Sequence, residues 1–160
     1  MSAARVSASS AWTTQNDCEP ADAQLCRTCV VDQVRQIDGV WPASWCAATA
    51  QVGEWLQVSF DEPMRVAEVE TQGRYHGEAW GYVSSFAFEY STTANGDGEF
   101  LGTTVAGSAT LSGPGTQLNE ASSRLVLDAP VVGLHFRFRV MGWYHHPSMR
   151  VELWGSTASL

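Results

Sequence analysis

Alternating hydrophobic and polar residues predict β-strands over most of the chain. Residues 132–140 and 82–90 give the clearest runs, because nearly every second position in each is aromatic or aliphatic. That period of two is typical of a strand. Weaker runs occupy residues 5–8, 56–60, 64–72, 100–105, 124–127 and 149–153. No helix of ordinary length is indicated, so the sequence predicts eight short strands in an antiparallel, all-β sandwich or jelly roll.

The stretch from residue 54 to residue 75 is central to this prediction. Hydrophobic residues alternate up to Phe60, and Asp-Glu-Pro at residues 61–63 then breaks the run, since proline cannot donate to a sheet ladder. We therefore expect a hairpin whose second strand leads into an exposed loop. Val66 and Val69 cannot share a face under strict alternation, which indicates a β-bulge or a strand buried on both faces.

Other turn signals separate the remaining strands. Asn-Gly-Asp-Gly at residues 95–98 predicts a tight turn, because glycine accepts positive φ. Asp-Ala-Pro at residues 128–130 predicts another turn, and the small, polar residues 107–123 predict a surface loop.

Length and composition fit one globular domain. The chain has 160 residues, of which 44% are hydrophobic, and no apolar run approaches the roughly 20 residues needed to cross a bilayer. Its first residues lack the charged segment and apolar core of a signal peptide, as expected of a module taken from a longer secreted protein. The net charge is −8 and every basic residue is arginine. A negative surface weakens attraction to nucleic acid and to anionic lipid, so we expect neither as a partner.

Four cysteines lie in an irregular segment, residues 13–53, which is long for a loop without regular structure. They are Cys18, Cys26, Cys29 and Cys46. An even number in one segment predicts disulfides and leaves three pairings open. The alternative is a four-cysteine zinc site, since Cys26 and Cys29 have the spacing of a ligand pair, although the other two cysteines do not form a second pair. We expect disulfides and no metal ligation.

Six short motifs follow one another along the chain. They are Ala-Ser-Ser at 8–10, Trp-Cys at 45–46, Glu-Trp-Leu-Gln-Val at 54–58, Thr-Gln-Gly-Arg at 71–74, Tyr-Ser at 90–91 and Met-Arg-Val-Glu-Leu-Trp-Gly at 149–155. This series resembles the discoidin, or coagulation factor 5/8 type C, domain family. The resemblance covers residues 5–155 as a single domain and leaves 1–4 and 156–160 as terminal extensions. It implies an eight-stranded jelly-roll sandwich that is discoidin-like and galactose-binding-domain-like.

The resemblance also implies a function. Members of the family serve in extracellular adhesion proteins, lectins, collagen receptors and membrane-binding clotting factors, and loops at one end of the barrel hold the ligand. We therefore expect an extracellular, non-enzymatic module, part of a larger protein, that binds a carbohydrate or glycoprotein in adhesion. The alternative is a collagen- or peptide-binding module. Phosphatidylserine binding is disfavoured by the acidic balance and because only Trp80 could enter lipid from its loop.

The cysteines depart from the family pattern. The family usually joins its two ends by a disulfide, and this chain has no cysteine at either end. In the collagen receptors of the family, the cysteine of the Trp-Cys motif bonds to one just before the Met-Arg motif, where this chain has Ser148. The resemblance therefore leaves Cys46 to bond with Cys18, Cys26 or Cys29, or to remain free.

Three loops would meet at one end if the resemblance holds: residues 12–18, 74–80 and 142–147. The candidate ligand-binding residues on them are Trp12, Arg74, Tyr75, His76, Glu78, Trp80, Trp143, Tyr144 and His146. Trp12 either stacks on a ligand or plugs the mouth of the barrel. Arg74 either offers its fork of donors to a ligand or forms an ion pair with Glu78 or another acidic residue of the loops.

No catalytic or cofactor site is predicted. Sequence signatures of hydrolases and phosphate-binding loops are absent, and Glu68 and Glu70 are read as surface charge on one strand rather than as a glycosidase pair. The adjacent His145 and His146 are read as loop residues rather than as a metal site, and His135 as a residue of a strand face. Calcium stays an option, because family members sometimes bind it and acidic residues are plentiful at Asp17, Asp22, Asp32 and Asp38.

Overall fold

A computed structural model describes residues 4–12, 18, 20–23, 44–76, 79–115 and 122–158, without the side chains of Asp22, Tyr75, His76, Ala79 and Trp80. In this part of the chain a short 3-10 helix, Pro20–Asp22, accompanies nine strands: β1 (Arg5–Ala8), β2 (Trp45–Cys46), β3 (Trp55–Gln72), β4 (Arg74–His76), β5 (Ala79–Ser91), β6 (Leu101–Gly102), β7 (Leu111–Ser112), β8 (Ser122–Tyr144) and β9 (Ser148–Thr157).

All the strand pairs are antiparallel. The central order is β2-β9-β3-β8-β5-β4, with β1 beside β3 and with β6 and β7 beside β5. The predicted all-β, antiparallel fold is confirmed, and β1 has its predicted bounds. The turn predicted at residues 95–98 lies in the connection from β5 to β6, where Gly96 has a φ of +69°.

The hairpin predicted for residues 54–75 is wrong, because β3 is one continuous strand. Its first half, residues 55–59, pairs with residues 135–139 of β8, and its second half, residues 64–72, pairs with residues 122–133 of the same strand. The register skips residues 60–63, where Pro63 has no amide hydrogen to donate. Residues 61–63 are therefore not paired with β8, but β3 does not turn back at this point to pair with itself.

The turn predicted at residues 128–130 is wrong for the same reason, since β8 also runs on through it. Val66 of β3 faces Val131, and Glu68 faces Val126, so residues 127–130 of β8 form a bulge opposite the single residue Ala67. The bulge predicted between Val66 and Val69 is thereby confirmed. Where the sequence indicates two pairs of short strands, the protein has two long strands that bend together.

The two bends fold the sheet over a single core. Leu56 and Val58 from the first half of β3 enter the same hydrophobic cluster as Val66 and Val69 from its second half. The breaks in register at residues 60–63 and opposite Ala67 allow both halves of β3 to line this core. The predicted β-sandwich is confirmed.

Four fully buried phenylalanines fill the layer formed by β5 and β8. Phe88 faces Phe138 across the ladder, and their ring centroids are 5.0 Å apart. Phe88 also stacks on Phe136 at 6.0 Å, and Phe86 lies 5.5 Å from Phe138. Aromatic contacts of this kind add about 0.5–1.5 kcal/mol each beyond the burial of area.

The last strand packs closely against β3. A Cβ atom on Gly155 would lie 1.9 Å from the carbonyl oxygen of Arg65, so only glycine fits there. β9 then continues to Thr157, which pairs with Met64. The predicted domain end at residue 155 is therefore two residues short of the end of the strand.

Candidate functional site

A buried disulfide joins Cys18 to Cys46 on β2. Their Cα atoms are 4.9 Å apart, and neither residue is exposed. The disulfide prediction is confirmed with this pairing, and it rules out the four-cysteine zinc site because two of the four thiolates are used. Cys46 faces Ser148 across the β2–β9 ladder, the position where the family resemblance places the bonding cysteine of the collagen receptors. Cys26 and Cys29 lie outside the described residues.

Trp12 lies at the surface beside this disulfide. Its amide donates to the carbonyl oxygen of Cys46 at 3.0 Å, and its side chain is 36% exposed. Its ring centroid lies 4.9 Å from that of His146. His146 is held in turn, because its Nε2 lies 2.6 Å from the carbonyl oxygen of Ala47, which can only accept a hydrogen bond. Trp12 is therefore an exposed aromatic face supported from one side.

A second aromatic face belongs to Tyr144, which lies on the same β8–β9 turn as His146. Tyr144 is 43% exposed and stacks on Tyr82, with centroids 5.4 Å apart and planes 27° apart. The ring of His145 meets Tyr144 edge-on at 4.6 Å. We call Trp12, Tyr82, Tyr144, His145 and His146 the aromatic platform.

The turn that carries Tyr144, His145 and His146 is strained. His145 has a φ of +58°, and the amide of His146 donates to the carbonyl oxygen of Tyr144 at 2.8 Å, which closes a three-residue γ-turn. A left-handed conformation costs a residue with a side chain about 1–2 kcal/mol. Such strain persists where the surroundings hold it, and it is concentrated at functional sites.

Two residues of the aromatic platform were missed by the sequence prediction. Tyr82 was assigned only to a strand, and nothing in the sequence indicates that it stacks on Tyr144. His145 is interpreted from the sequence only as a loop residue, whereas its neighbour His146 is a predicted ligand-binding residue. The sequence predicts a loop over residues 142–147, whereas in the structure the connection from β8 to β9 is only three residues long and contains His145 at positive φ.

The predicted loop at residues 74–80 is instead a tight hairpin. Arg74 pairs with Gly81, Tyr75 with Trp80, and His76 with Ala79. Arg74 is only 4% exposed, so it lies beneath the surface rather than on it. Glu78 lies outside the described residues, as do the side chains of Tyr75, His76 and Trp80, so the ligand contacts predicted for them stay predictions.

Gly81 brings this hairpin against the aromatic platform. A Cβ atom on Gly81 would lie 2.5 Å from the carbonyl oxygen of His146 and 3.1 Å from that of Tyr144. Only glycine allows β5 to approach the turn so closely. Arg74, the cross-strand partner of Gly81, is thereby placed at the same end of the sandwich as Trp12 and His146.

Trp143 faces away from that surface. It is half-buried and packs against the hydrophobic core, whereas its neighbour Tyr144 is exposed. Successive residues of a strand point to opposite faces, which explains the difference. The predicted role of Trp143 in ligand binding remains a prediction, but its position is that of a core residue.

Arg150 supports the start of the hairpin from within. It is almost fully buried, and its Nε and Nη2 donate to the carbonyl oxygen of Gly73 at 3.0 and 2.7 Å. Burial lowers the pKa of Arg150 to about 10, because the charged form loses hydration. Gly73 links β3 to β4, so this pair of hydrogen bonds fixes the residue just before Arg74.

A carboxylate supports the other side of the site. Burial opposes the ionisation of Glu54, but hydrogen bonds from Ser9, Thr49, Ser10 and Gln51 outweigh it and lower the pKa of that carboxyl below its ordinary value. Glu54 is therefore held in its charged form at neutral pH.

The two exposed aromatic faces offer an apolar surface to a ring-shaped ligand. Two exposed aromatic faces can stack on the apolar side of a ring while nearby polar groups bond its edge. Within the described ranges, no group of three histidine, cysteine or acidic side chains could hold a metal. Three of the four acidic residues considered for calcium, and the side chain of the fourth, lie outside those ranges, so calcium binding remains a prediction.

The cavity between β1, β3 and β9 is separate from this site. It has a volume of about 450 Å³ and is lined mainly by aliphatic side chains, among them Val6, Val58, Val66 and Val151. None of the predicted ligand-binding residues lines it. We therefore place the candidate site at the aromatic platform. The part of the chain that the structure describes contains no helix long and apolar enough to cross a bilayer.

The chain is similar in sequence pattern and in fold to known binding proteins. The F5/8 type C domain pattern matches residues 5–153. Discoidin II of Dictyostelium discoideum superposes with a TM-score of 0.73 at 14% identity, covering 98% of this chain and 56% of discoidin II. The chain thus spans about half the length of that protein. No curated protein sequence matches the chain.

Bacterial binding modules have the same fold over nearly their whole length. Chitosan-binding module 1 from a chitosanase/glucanase of Paenibacillus sp. IK-5 has a TM-score of 0.64 at 14% identity, covering 94% of each chain. A CBM32 module of Clostridium perfringens, solved in complex with GalNAc-β-1,3-galactose, has a TM-score of 0.66 at 10% identity, covering 95% of each chain. At these identities the likeness establishes the fold.

Proposed function

The chain belongs to the F5/8 type C domain family, and from this premise we propose that it is a carbohydrate-binding module whose ligand rests on the aromatic platform. The observation that carries the proposal is the pair of exposed rings, Trp12 and Tyr144, each supported from behind by a second ring. Several solved neighbours are binding modules, one in complex with GalNAc-β-1,3-galactose and another with galactose.

The chemistry of a sugar matches this surface. A pyranose ring has an apolar face of C–H groups and an edge of hydroxyl groups. Stacking on an aromatic ring contributes about 0.5–1.5 kcal/mol beyond area burial, so Trp12 and Tyr144 together supply a useful part of a modest affinity. The supporting contacts to His146 and Tyr82 hold the two rings in place before binding, which reduces the entropy lost on association.

We place this activity outside the cell, in adhesion to a glycan or glycoprotein. The Cys18–Cys46 disulfide supports this placement, because such bonds form and persist in oxidising compartments. The greater length of discoidin II supports a second point, that the module acts as part of a larger protein.

A glycan array followed by calorimetry tests the proposal. We expect at least one glycan to bind, and the Trp12→Ala and Tyr144→Ala variants each to weaken its affinity by about 10-fold, which corresponds to the loss of one stacking contact. The matched control is Phe100→Ala, which removes an aromatic ring that lies under the Arg137 guanidinium rather than on the platform. That variant should bind like the wild type.

Two outcomes would overturn the proposal. One is the absence of any glycan ligand on the array, particularly if the protein binds a triple-helical collagen-like peptide and loses it in Trp12→Ala. The other is a glycan affinity that neither platform variant changes. Tight binding to phosphatidylserine liposomes at physiological salt would point instead to a membrane ligand.

A further inference from the structure

We propose that Glu54 is a positioning residue that sets the stacking face of Trp12 through Ser9 and Ser10. The contribution to ligand binding rests on the proposed function, whereas the effect on the position of Trp12 does not. Glu54 directly precedes β3 and is only 5% exposed. Trp12 lies more than forty positions away in sequence, so the connection exists only in the folded protein.

The carboxylate of Glu54 accepts hydrogen bonds from two separate segments of the chain, residues 9–10 and residues 49–51. Its Oε2 accepts hydrogen bonds from the hydroxyls of Ser9 and Ser10, the latter at 2.7 Å. Its Oε1 accepts from Thr49 at 2.6 Å and from the side-chain amide of Gln51 at 3.5 Å. All four donors are neutral. A hydrogen bond to a charged group is stronger than one between neutral groups, so the carboxylate is the fixed point of this cluster.

Ser10 also bonds the segment around β2 and so connects that segment to Glu54. Its Oγ accepts from the amide of Ala48 at 3.0 Å while donating to Glu54, and its carbonyl oxygen accepts from Nε1 of Trp45 at 2.8 Å. A hydroxyl has a single proton to donate. The carboxylate therefore determines which way the Ser10 hydroxyl points, and with it the lone pair that Ala48 uses.

The aromatic faces are held by the same three consecutive residues of that segment. The carbonyl oxygen of Cys46 accepts from the Trp12 amide, the carbonyl oxygen of Ala47 lies 2.6 Å from Nε2 of His146, and the amide of Ala48 donates to Ser10. Glu54 thus anchors the backbone against which both Trp12 and His146 are aligned.

A carboxamide would not reproduce this arrangement. Glutamine has the shape of glutamate, but one end of its side chain donates and only the other accepts. In Glu54→Gln, either the pair of serines or the pair of donors from residues 49–51 would face an NH₂ group. The hydroxyls on that side would have to turn away from residue 54, and the link from Ser10 to Ala48 would lose its fixed geometry.

The first test needs no ligand. In Glu54→Gln we expect amide hydrogen exchange at Trp12 and Ala48 to become at least about 10-fold faster, as the loss of one charge-assisted hydrogen bond allows. The nuclear Overhauser contact between the rings of Trp12 and His146 should weaken. Exchange at the buried core residue Phe138, which requires global unfolding, should rise only by the factor that corresponds to the loss of overall stability measured by urea titration. Ser10→Ala should give the same pattern, because it removes the relay and leaves the carboxylate.

The matched control is Glu70→Gln. Glu70 also accepts a side-chain hydrogen bond, from Nε1 of Trp154 at 2.9 Å, but it lies in the second half of β3, between Arg124 of β8 and Glu152 of β9. That variant should leave the Trp12 and Ala48 amides and the ring contact unchanged. The inference is overturned if Glu54→Gln also leaves them unchanged, or if the amides exchange faster while the Trp12–His146 ring contact keeps its wild-type strength, which would indicate destabilisation without a change in the position of Trp12.

The second test uses galactose as the probe. If the wild type binds it, Glu54→Gln should weaken the affinity by about 10-fold, in step with the loosened Trp12 amide. Loosened amides with unchanged galactose affinity would overturn the role in binding. If the wild type binds no sugar, the proposed function fails, and the exchange measurements still decide whether Glu54 positions Trp12.

Discussion

The Cys18–Cys46 disulfide makes a definite prediction for stability. The two residues are 28 positions apart in sequence, and in the chain-entropy account closing a loop of that size restricts the unfolded chain by about 3.6 kcal/mol at 25 °C. Domains of this size are stable by about 5–15 kcal/mol in total, so the bond supplies a large share. Replacing both cysteines by alanine should lower the free energy of unfolding by roughly 3–4 kcal/mol.

Urea denaturation, followed by circular dichroism, measures this difference. The midpoint of the transition should fall, and its slope should rise slightly, because the unfolded chain without the cross-link is less compact and exposes more surface. The same comparison in reductant is the internal control. Once the wild type has lost its bond, the two proteins should differ by only a small packing term from the missing sulfur atoms.

Two results would refute this reasoning. The first is a loss of less than about 1 kcal/mol in oxidising buffer, which is too small for closing a loop of this length. The second is alkylation of Cys18 and Cys46 in the unreduced protein after unfolding, since both thiols would then have been unbonded from the start.

Two further predictions follow from particular residues. Ala106 has a φ of +48°, so Ala106→Gly should raise the free energy of unfolding by about 1 kcal/mol by relieving left-handed strain. Ala129→Gly, at an exposed position in β8 without positive φ, should lower it by about 0.5–1 kcal/mol. Urea titrations that ranked the two variants the other way would contradict this prediction. The pKa of Glu54 is lowered from 4.5 in the folded protein, so its contribution to stability is complete above pH 4.5 and is lost as the pH falls through the folded-state pKa. The stability difference between wild type and Glu54→Gln, measured by urea titration from about pH 7 to about pH 3, should therefore shrink below pH 4.5, and a difference that stayed constant would count against an ionised Glu54.

Local patterning predicted the strands well where one face of a strand is buried and the other is polar. β1 and β9 were found in this way, and so was the part of β5 from Tyr82 to Tyr90. The unusual spacing of Val66 and Val69 also carried real information, because a bulge in register explains it. These features depend on neighbours in sequence, which is why the sequence alone could predict them.

The continuity of β3 and β8 could not be predicted in the same way. Residues 61–63 and 128–130 do carry signals that interrupt a ladder. Whether a chain then reverses or bends depends on its long-range partner, and Gln57 bonds to Arg137, 80 residues away. Because both strands bend at neighbouring places, each ladder continues where a hairpin would otherwise form.

The sequence indicates a region for the candidate site and does not determine how each side chain is placed within it. The family resemblance indicated the loops that carry Trp12 and Tyr144, and both side chains are exposed there. It did not indicate that Arg74 is buried, because that follows from the pairing of β4 with β5. Nor could it choose Cys18 as the partner of Cys46, since the relevant distance is set by the folded chain.

The placement of β1 and β9 along β3 determines how this module can be attached to anything else. Arg5 pairs with Ser59 and Thr157 pairs with Met64, so both outer ends of the fold lie beside the bend of β3. β1 runs from there toward Trp12, and β3 returns from there toward Arg74. Any polypeptide joined at either end would depart from the pole opposite the aromatic platform. The aromatic platform would then face away from the attachment points. A force applied to both ends would act first on the pairing of β1 and β9 with β3, and only afterwards on the ligand site.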